Sequence, residues 1–74
     1  MSGVLPQMIK VVSSNLDSIG FNEKEHILYV KFLSSSVYEY RGVSKNIFKA
    51  FLKSSSKGKF FAKEIRPKYT SLII

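Results

Sequence analysis

Two different periods of apolar residues divide the chain. From Ile27 to Phe32 the sequence ILYVKF alternates, with Leu28, Val30 and Phe32 on one face and Ile27, Tyr29 and Lys31 on the other. Successive side chains of an extended strand point to opposite faces, so this pattern predicts a half-buried strand. VYEYRGV (37–43) repeats it, setting Tyr38 and Tyr40 against Val37, Glu39 and Arg41. Upstream, LDSIGFN (16–22) places Ile19 and Phe21 on one face with Gly20 between them, and IKVVS (9–13) is short and β-prone. The polar run Glu23-Lys24-Glu25-His26 and the segment Leu33-Ser34-Ser35-Ser36 carry turn chemistry. Three consecutive strands with short turns predict an antiparallel meander.

The period changes after Val43. Ser44 suits the N-cap of a helix running to about Lys53. At about 100° per residue, Ile47, Phe48, Phe51 and Leu52 fall on one side of that helix and Lys45, Lys49 and Lys53 on the other. SSSKG (54–58) interrupts it. A second helix follows over roughly 57–66, with Phe60, Phe61, Ala62 and Ile65 as its buried side, and Pro67 stops it. Residues 1–8 read as a flexible arm and 71–74 as an apolar tail. KYTSLII (68–74) has the choice of a short strand or a tail packed on the sheet or on a second subunit. The expected fold is a single α+β domain over residues 9–70. It is an antiparallel three- to four-stranded β-meander followed by two C-terminal α-helices packed on one sheet face.

Composition agrees with a folded but small domain. Of 74 residues, 45% are apolar and 14% aromatic, too many for a disordered chain. A chain of this size buries only about 60% of its unfolded surface. With no cysteine, a disulfide framework and a zinc finger are excluded, and packing must carry stability. MSGVLPQMIKVV lacks the long apolar stretch of a signal peptide, and no run reaches the roughly 18–20 apolar residues of a membrane span. The expected location is cytoplasmic, without membrane association.

Charge changes the picture more. The net charge is +7, and it is unevenly spread. Residues 1–40 hold three basic and four acidic side chains, whereas residues 41–74 hold nine basic side chains and Glu64 alone. A neutral first half joined to a cationic second half points to a polyanionic partner.

Catalytic chemistry finds little support. His26 is the sole histidine and sits in a predicted polar turn with no nucleophile at hand. The serines have no nucleophile-elbow motif, and the carboxylates have no metal-ligand spacing. No cofactor is expected. SSSKGKFF (54–61) invites comparison with a nucleotide-hydrolysing loop, but Gly58-Lys59 is followed by Phe60 and preceded by a helix, where that motif needs a strand before and a hydroxyl after. A capped helix start, with Ser55 or Ser56 as cap and Gly58 allowing close packing, accounts for the same residues. Ser56, Lys57 and Lys59 also suit a phosphate at that start. Tyr29, Tyr38 and Tyr40 are candidates for stacking on unpaired bases, Tyr29 being the one expected to be exposed, whereas tyrosines placed like Tyr38 and Tyr40 are more often core residues with their hydroxyls reaching the edge.

The order of short motifs resembles the KTSC domain, a family named for a module at the C-terminus of some lysyl-tRNA synthetases and also found as small bacterial and phage proteins. The matching residues are Ser13-Ser14-Asn15-Leu16, Ser18-Ile19-Gly20-Phe21, Leu28, Val30-Lys31-Phe32, Tyr38-Glu39-Tyr40, Val43, Ser56-Lys57-Gly58-Lys59-Phe60-Phe61, Ile65-Arg66 and Tyr69. Ser35 stands where the family usually has glycine, and Ser44 where it usually has proline. The resemblance implies a small α+β domain, with RNA binding suggested by association with the synthetase. The expected function is therefore a non-catalytic nucleic-acid-binding module, RNA ahead of DNA. Its contacts would come from Arg41, Lys45, Lys49, Lys53, Ser56, Lys57, Lys59, Lys63, Arg66 and Lys68. The alternative is a protein-interaction module, a phage or mobile-element accessory protein with an acidic protein partner, or a homodimer.

Overall fold

The computed structural model describes residues 6–74. Five strands form one antiparallel sheet in sequential order: β1 (Ile9–Lys10), β2 (Leu16–Asn22), β3 (Ile27–Phe32), β4 (Val37–Arg41) and β5 (Ser71–Ile73). Two helices lie between β4 and β5 in the chain: α1 (Lys45–Lys53), and α2 (Lys57–Phe60), which passes directly into a π-helical turn (Phe61–Ile65). The architecture is α+β, and no helix among the described residues is long and apolar enough to cross a membrane.

The strand count exceeds the three to four expected. β1 is shorter than 9–13 and β4 ends at Arg41, while the segment read as a C-terminal tail becomes a strand. Ser71, Leu72 and Ile73 pair with Tyr40, Glu39 and Tyr38, and the Ile74 N–H donates to the Val37 carbonyl at 2.9 Å. Without β5, that edge of β4 would present a row of unpaired backbone groups. The flexible arm expected over residues 1–8 falls outside the described residues for its first five positions. Residues 6–8 lie across Gly20: a Cβ there would stand 2.6 Å from the Met8 sulfur, 3.1 Å from the Gln7 carbonyl oxygen and 3.2 Å from the Pro6 ring.

Cross-strand pairing sorts the side chains. Ile19 pairs with Val30 and Phe21 with Leu28, while Val30 pairs with Tyr38 and Leu28 with Tyr40, so these six share one face. Against it pack Phe51 of α1 and Phe61 and Ile65 of the π turn, with Leu16 and Val43 completing the buried core. Burying one such large apolar side chain is worth about 1.5–3 kcal/mol. Ring contacts tie the layers together: Phe21 stacks on Phe48 at 5.0 Å, Phe51 on Phe60 at 5.2 Å, and Phe61 meets Phe32 and Tyr40 edge-on at 5.4 and 5.7 Å.

The turns explain how the strands enter and leave. Asn22 accepts the Glu25 N–H on its side-chain oxygen, and His26 closes that turn with φ 56°. In the next hairpin Ser35 adopts φ 79°, the Ser35 N–H donates to the Phe32 carbonyl, and the Phe32 N–H to the Ser36 carbonyl. A β-turn followed by a left-handed residue is a common three-residue hairpin loop, and glycine fits that last position best. The Ser44 hydroxyl accepts the Ile47 N–H at 3.3 Å and caps α1.

Candidate nucleic-acid interface

The start of α2 is built from two segments far apart in the chain. The Ser56 hydroxyl accepts the Lys59 N–H at 3.3 Å, so Ser56 is the N-cap. Across from it, the Ser13 hydroxyl accepts the Asn15 and Leu16 N–H groups and donates to the Asn15 side-chain oxygen, folding residues 13–15 into a tight turn. The Asn15 carbonyl accepts the Leu33 N–H, anchoring that turn to the β3–β4 hairpin. Gly58 faces the turn: a Cβ would lie 3.2 Å from the Asn15 side-chain oxygen and 3.5 Å from the Ser13 hydroxyl. Glycine eases this close approach, since a Cβ would make the Asn15 side chain give by a few tenths of an ångström and a larger side chain would crowd the turn further.

Two clefts flank this junction. One, of about 580 Å³, runs between the 12–15 segment and Ser55–Lys59. The other, of about 600 Å³, lies between the π turn and the open part of the sheet, with Tyr38, Tyr40, Phe61, Arg66, Ser36 and Ser71 in its lining. Ser14, Asn15 and Ala62 line both, so the two clefts adjoin over Ala62. The π turn, marked by the Arg66 N–H donating to the Phe61 carbonyl at 3.0 Å, buries Phe61 and Ile65 together and leaves Ala62, Lys63 and Arg66 exposed.

The candidate cations separate into two groups. Arg41 binds Glu39 at 2.7 Å, Lys45 binds Glu23 at 2.7 Å, and Lys68 binds Glu64 at 2.8 Å. Arg41 moreover shares its sheet face with Glu39, opposite the helices, because its register partner is Ile27 and its neighbours on β4 alternate. It therefore stands apart from the helical cations. Lys57 donates to the Ser54 carbonyl at 2.6 Å, satisfying the C-terminal end of α1. Lys49 and Lys53 are exposed on α1, and Lys59, Lys63 and Arg66 on α2 and its π turn. None of the six cations from Lys49 to Arg66 has an ion pair among the described residues.

The three tyrosines differ from one another. Tyr29, expected to be exposed, is 8% exposed and corrects that reading. Its cross-strand partner is Gly20, over which residues 6–8 lie, and desolvation, with Glu39 next, raises its phenol above the usual value. Tyr40 is 3% exposed, and burial raises its phenol too, Tyr38 adding to the effect and Arg66 and Ser71 opposing it. Its ring belongs to the core and only its edge reaches the cleft. Tyr38 is half-buried and borders the cleft beside it. Sequence reasoning used Ser13, Ser14 and Asn15 only as part of the family resemblance and gave them no role at the site.

A five-stranded antiparallel sheet with two helices on one face and a serine-lined cleft at the second helix start defines a small α+β domain. The family model described as "KTSC domain" matches residues 12–69, and the chain belongs to that family. It is similar to the crystal structure of a KTSC domain protein from Yersinia pestis, with a TM-score of 0.89 and 32% identity, covering 92% of this chain and 96% of that one. It is also 31% identical over 61 residues to an uncharacterised protein of Stutzerimonas stutzeri strain A1501, covering 82% of this chain and 86% of that protein. The family's usual glycine before the YxY element coincides with Ser35 and its positive φ, and Ser44 replaces the usual proline with a capping hydroxyl.

Proposed function

We propose that this domain is a non-catalytic nucleic-acid-binding module that holds a single strand, RNA ahead of DNA, chiefly by phosphate contacts. The observation that carries the reading is the distribution of ion pairs. Four of the five carboxylates are engaged by Lys10, Arg41, Lys45 and Lys68, and the six cations of residues 49–66 have no such partner among the described residues. Lys57, Lys59 and Arg66 line the two adjoining clefts, concave surfaces that suit a flexible strand better than a rigid duplex. Phosphate contacts position a strand without reading its bases, so sequence preference is expected to be weak. Such a role belongs in the cytoplasm, where a cysteine-free chain loses nothing.

Binding of a labelled ten-nucleotide RNA at low salt tests this. A variant with Lys49, Lys53, Lys59 and Lys63 changed to serine loses most of its affinity. A variant with Lys10, Lys24 and Lys31 changed to serine keeps most of it. Equal binding by the two variants overturns the assignment.

One observation favours a second reading. Leu72, Ile73 and Ile74 are 52%, 64% and 57% exposed on the outermost strand, with no charge or proline to blunt that edge. An edge of this kind accepts another strand, from a protein partner or a second copy. Protein partners that survive nuclease treatment in a pull-down support that reading, and loss of all partners supports nucleic acid.

A further inference from the structure

The larger cleft is more than a continuation of the basic surface. Arg66 is the one charged residue in its lining, with no carboxylate beside it, so the cleft suits an anion rather than a cation. Its aromatic lining consists of the half-buried Tyr38 and Phe32, backed by the buried Tyr40 and Phe61. The Tyr38 and Tyr40 rings lie 6.5 Å apart and inclined by only 24°, and Phe61 meets Tyr40 edge-on at 5.7 Å. Four serines and Asn15 complete the lining, and hydroxyls both donate and accept. At about 600 Å³ the cleft lies in the range of small-ligand sites, roughly 300–1,000 Å³. The half-buried Tyr38 ring, ambivalent hydrogen-bonding groups in the lining and one unpaired guanidinium are the complement of a planar heterocycle joined to a phosphate.

We infer that this cleft takes one unpaired nucleobase of the bound strand, stacked on Tyr38, with the adjoining phosphate on Arg66. The inference rests on the nucleic-acid reading and deepens it. The strand then continues over Ala62 into the second cleft, past Lys59, because Ser14, Asn15 and Ala62 are common to both. Serine hydroxyls serve any base, so the pocket registers the presence of a base and not its identity.

A six-nucleotide adenine RNA and an abasic strand of the same length and charge separate base from phosphate contacts. Stacking of one base contributes on the order of tenfold in affinity. The expected result is that the wild-type protein binds the base-bearing strand about tenfold more tightly. Tyr38→Leu, which keeps the apolar packing but removes the ring face, abolishes that preference and leaves abasic-strand affinity unchanged. Circular dichroism verifies the fold of the variant. Equal binding of both strands by the wild type, or an undiminished preference in folded Tyr38→Leu, overturns the base pocket while leaving phosphate binding intact. Failure of both strands to bind at low salt overturns the nucleic-acid reading and this inference with it.

Discussion

On the helix-covered face of the sheet, Leu28, Val30 and Tyr40 meet Phe51, Phe61 and Ile65, and on the helices above them Lys45 and Lys68 are paired with Glu23 and Glu64 while the six cations of residues 49–66 have no ion pair among the described residues. On the opposite face Arg41 is held by Glu39, and Lys10 binds Asp17 at the same end of the sheet as Lys31. That face has no helix. It is covered by residues 6–8 over Gly20, beside a buried Tyr29 and a 7% exposed Glu39. Each side holds two paired carboxylates, so it is the six further cations of the helical segment that leave that side open to an anion.

Four changes break or sharpen this comparison, beginning with the largest effect. Phe61→Ala removes the ring that joins Phe32, Tyr40 and the helical layer, and should cost about 3–5 kcal/mol. A chain of this length has only about 4–11 kcal/mol in total, so the urea transition should move far toward zero denaturant. Lys10→Ala, on the other face, removes an exposed pair with Asp17 and should leave the midpoint nearly unchanged in the same assay. A comparable loss from both would mean that the faces do not differ as described.

Gly58→Val forces a side chain against Asn15 and Ser13, at a cost of about 1–3 kcal/mol. Amide exchange should quicken at Leu16, whose N–H is held by the Ser13 hydroxyl, and at Leu33, whose partner is the Asn15 carbonyl. Unchanged protection at both would show that the turn does not depend on Gly58. Ser35→Gly relieves a left-handed serine and should raise stability by about 1 kcal/mol, read as a later urea midpoint.

The smallest effect concerns pH. The phenols of Tyr29 and Tyr40, one on each face, are raised chiefly by burial from an ordinary 10.0. The folded state thus favours their neutral forms. The stability they lend is fully present below about pH 10 and is lost as pH rises through the raised values. At the acid end, Asp17, Glu23 and Glu64 are lowered, first by hydrogen bonds from Lys10, Lys45 and Lys68. Their contribution is present above the ordinary carboxylate range and drains away as pH falls, weakly because all three pairs are exposed. Thermal midpoints across pH 3–11 check both limbs.

Much of the fold was legible because its longer elements obey one period each. ILYVKF and VYEYR alternate, and KNIFKAFLK separates Phe51 from Lys45, Lys49 and Lys53 at helical spacing. The fifth strand was legible only as one of two options for KYTSLII, since three residues carry no period and pair because β4 offers an edge. Burial of Ile27 and Tyr29 was hidden for a related reason: alternation reports which residues share a face, not what covers it. The helix start at Ser56 followed from local chemistry. Its docking against Ser13 and Asn15 did not, because those segments lie more than forty positions apart and no local rule brings them together. The π turn shifts one hydrogen bond and leaves no mark on composition.

The central claim is that the unpaired cations of residues 49–66 bind phosphates. Titration of a single-stranded RNA at several salt concentrations measures this directly. With about three to five phosphates neutralised, log affinity against log salt should fall with a slope of roughly −2 to −3.5. The slope should shrink in the variant lacking Lys49, Lys53, Lys59 and Lys63. Affinity that ignores salt, or no binding at low salt, would contradict the account.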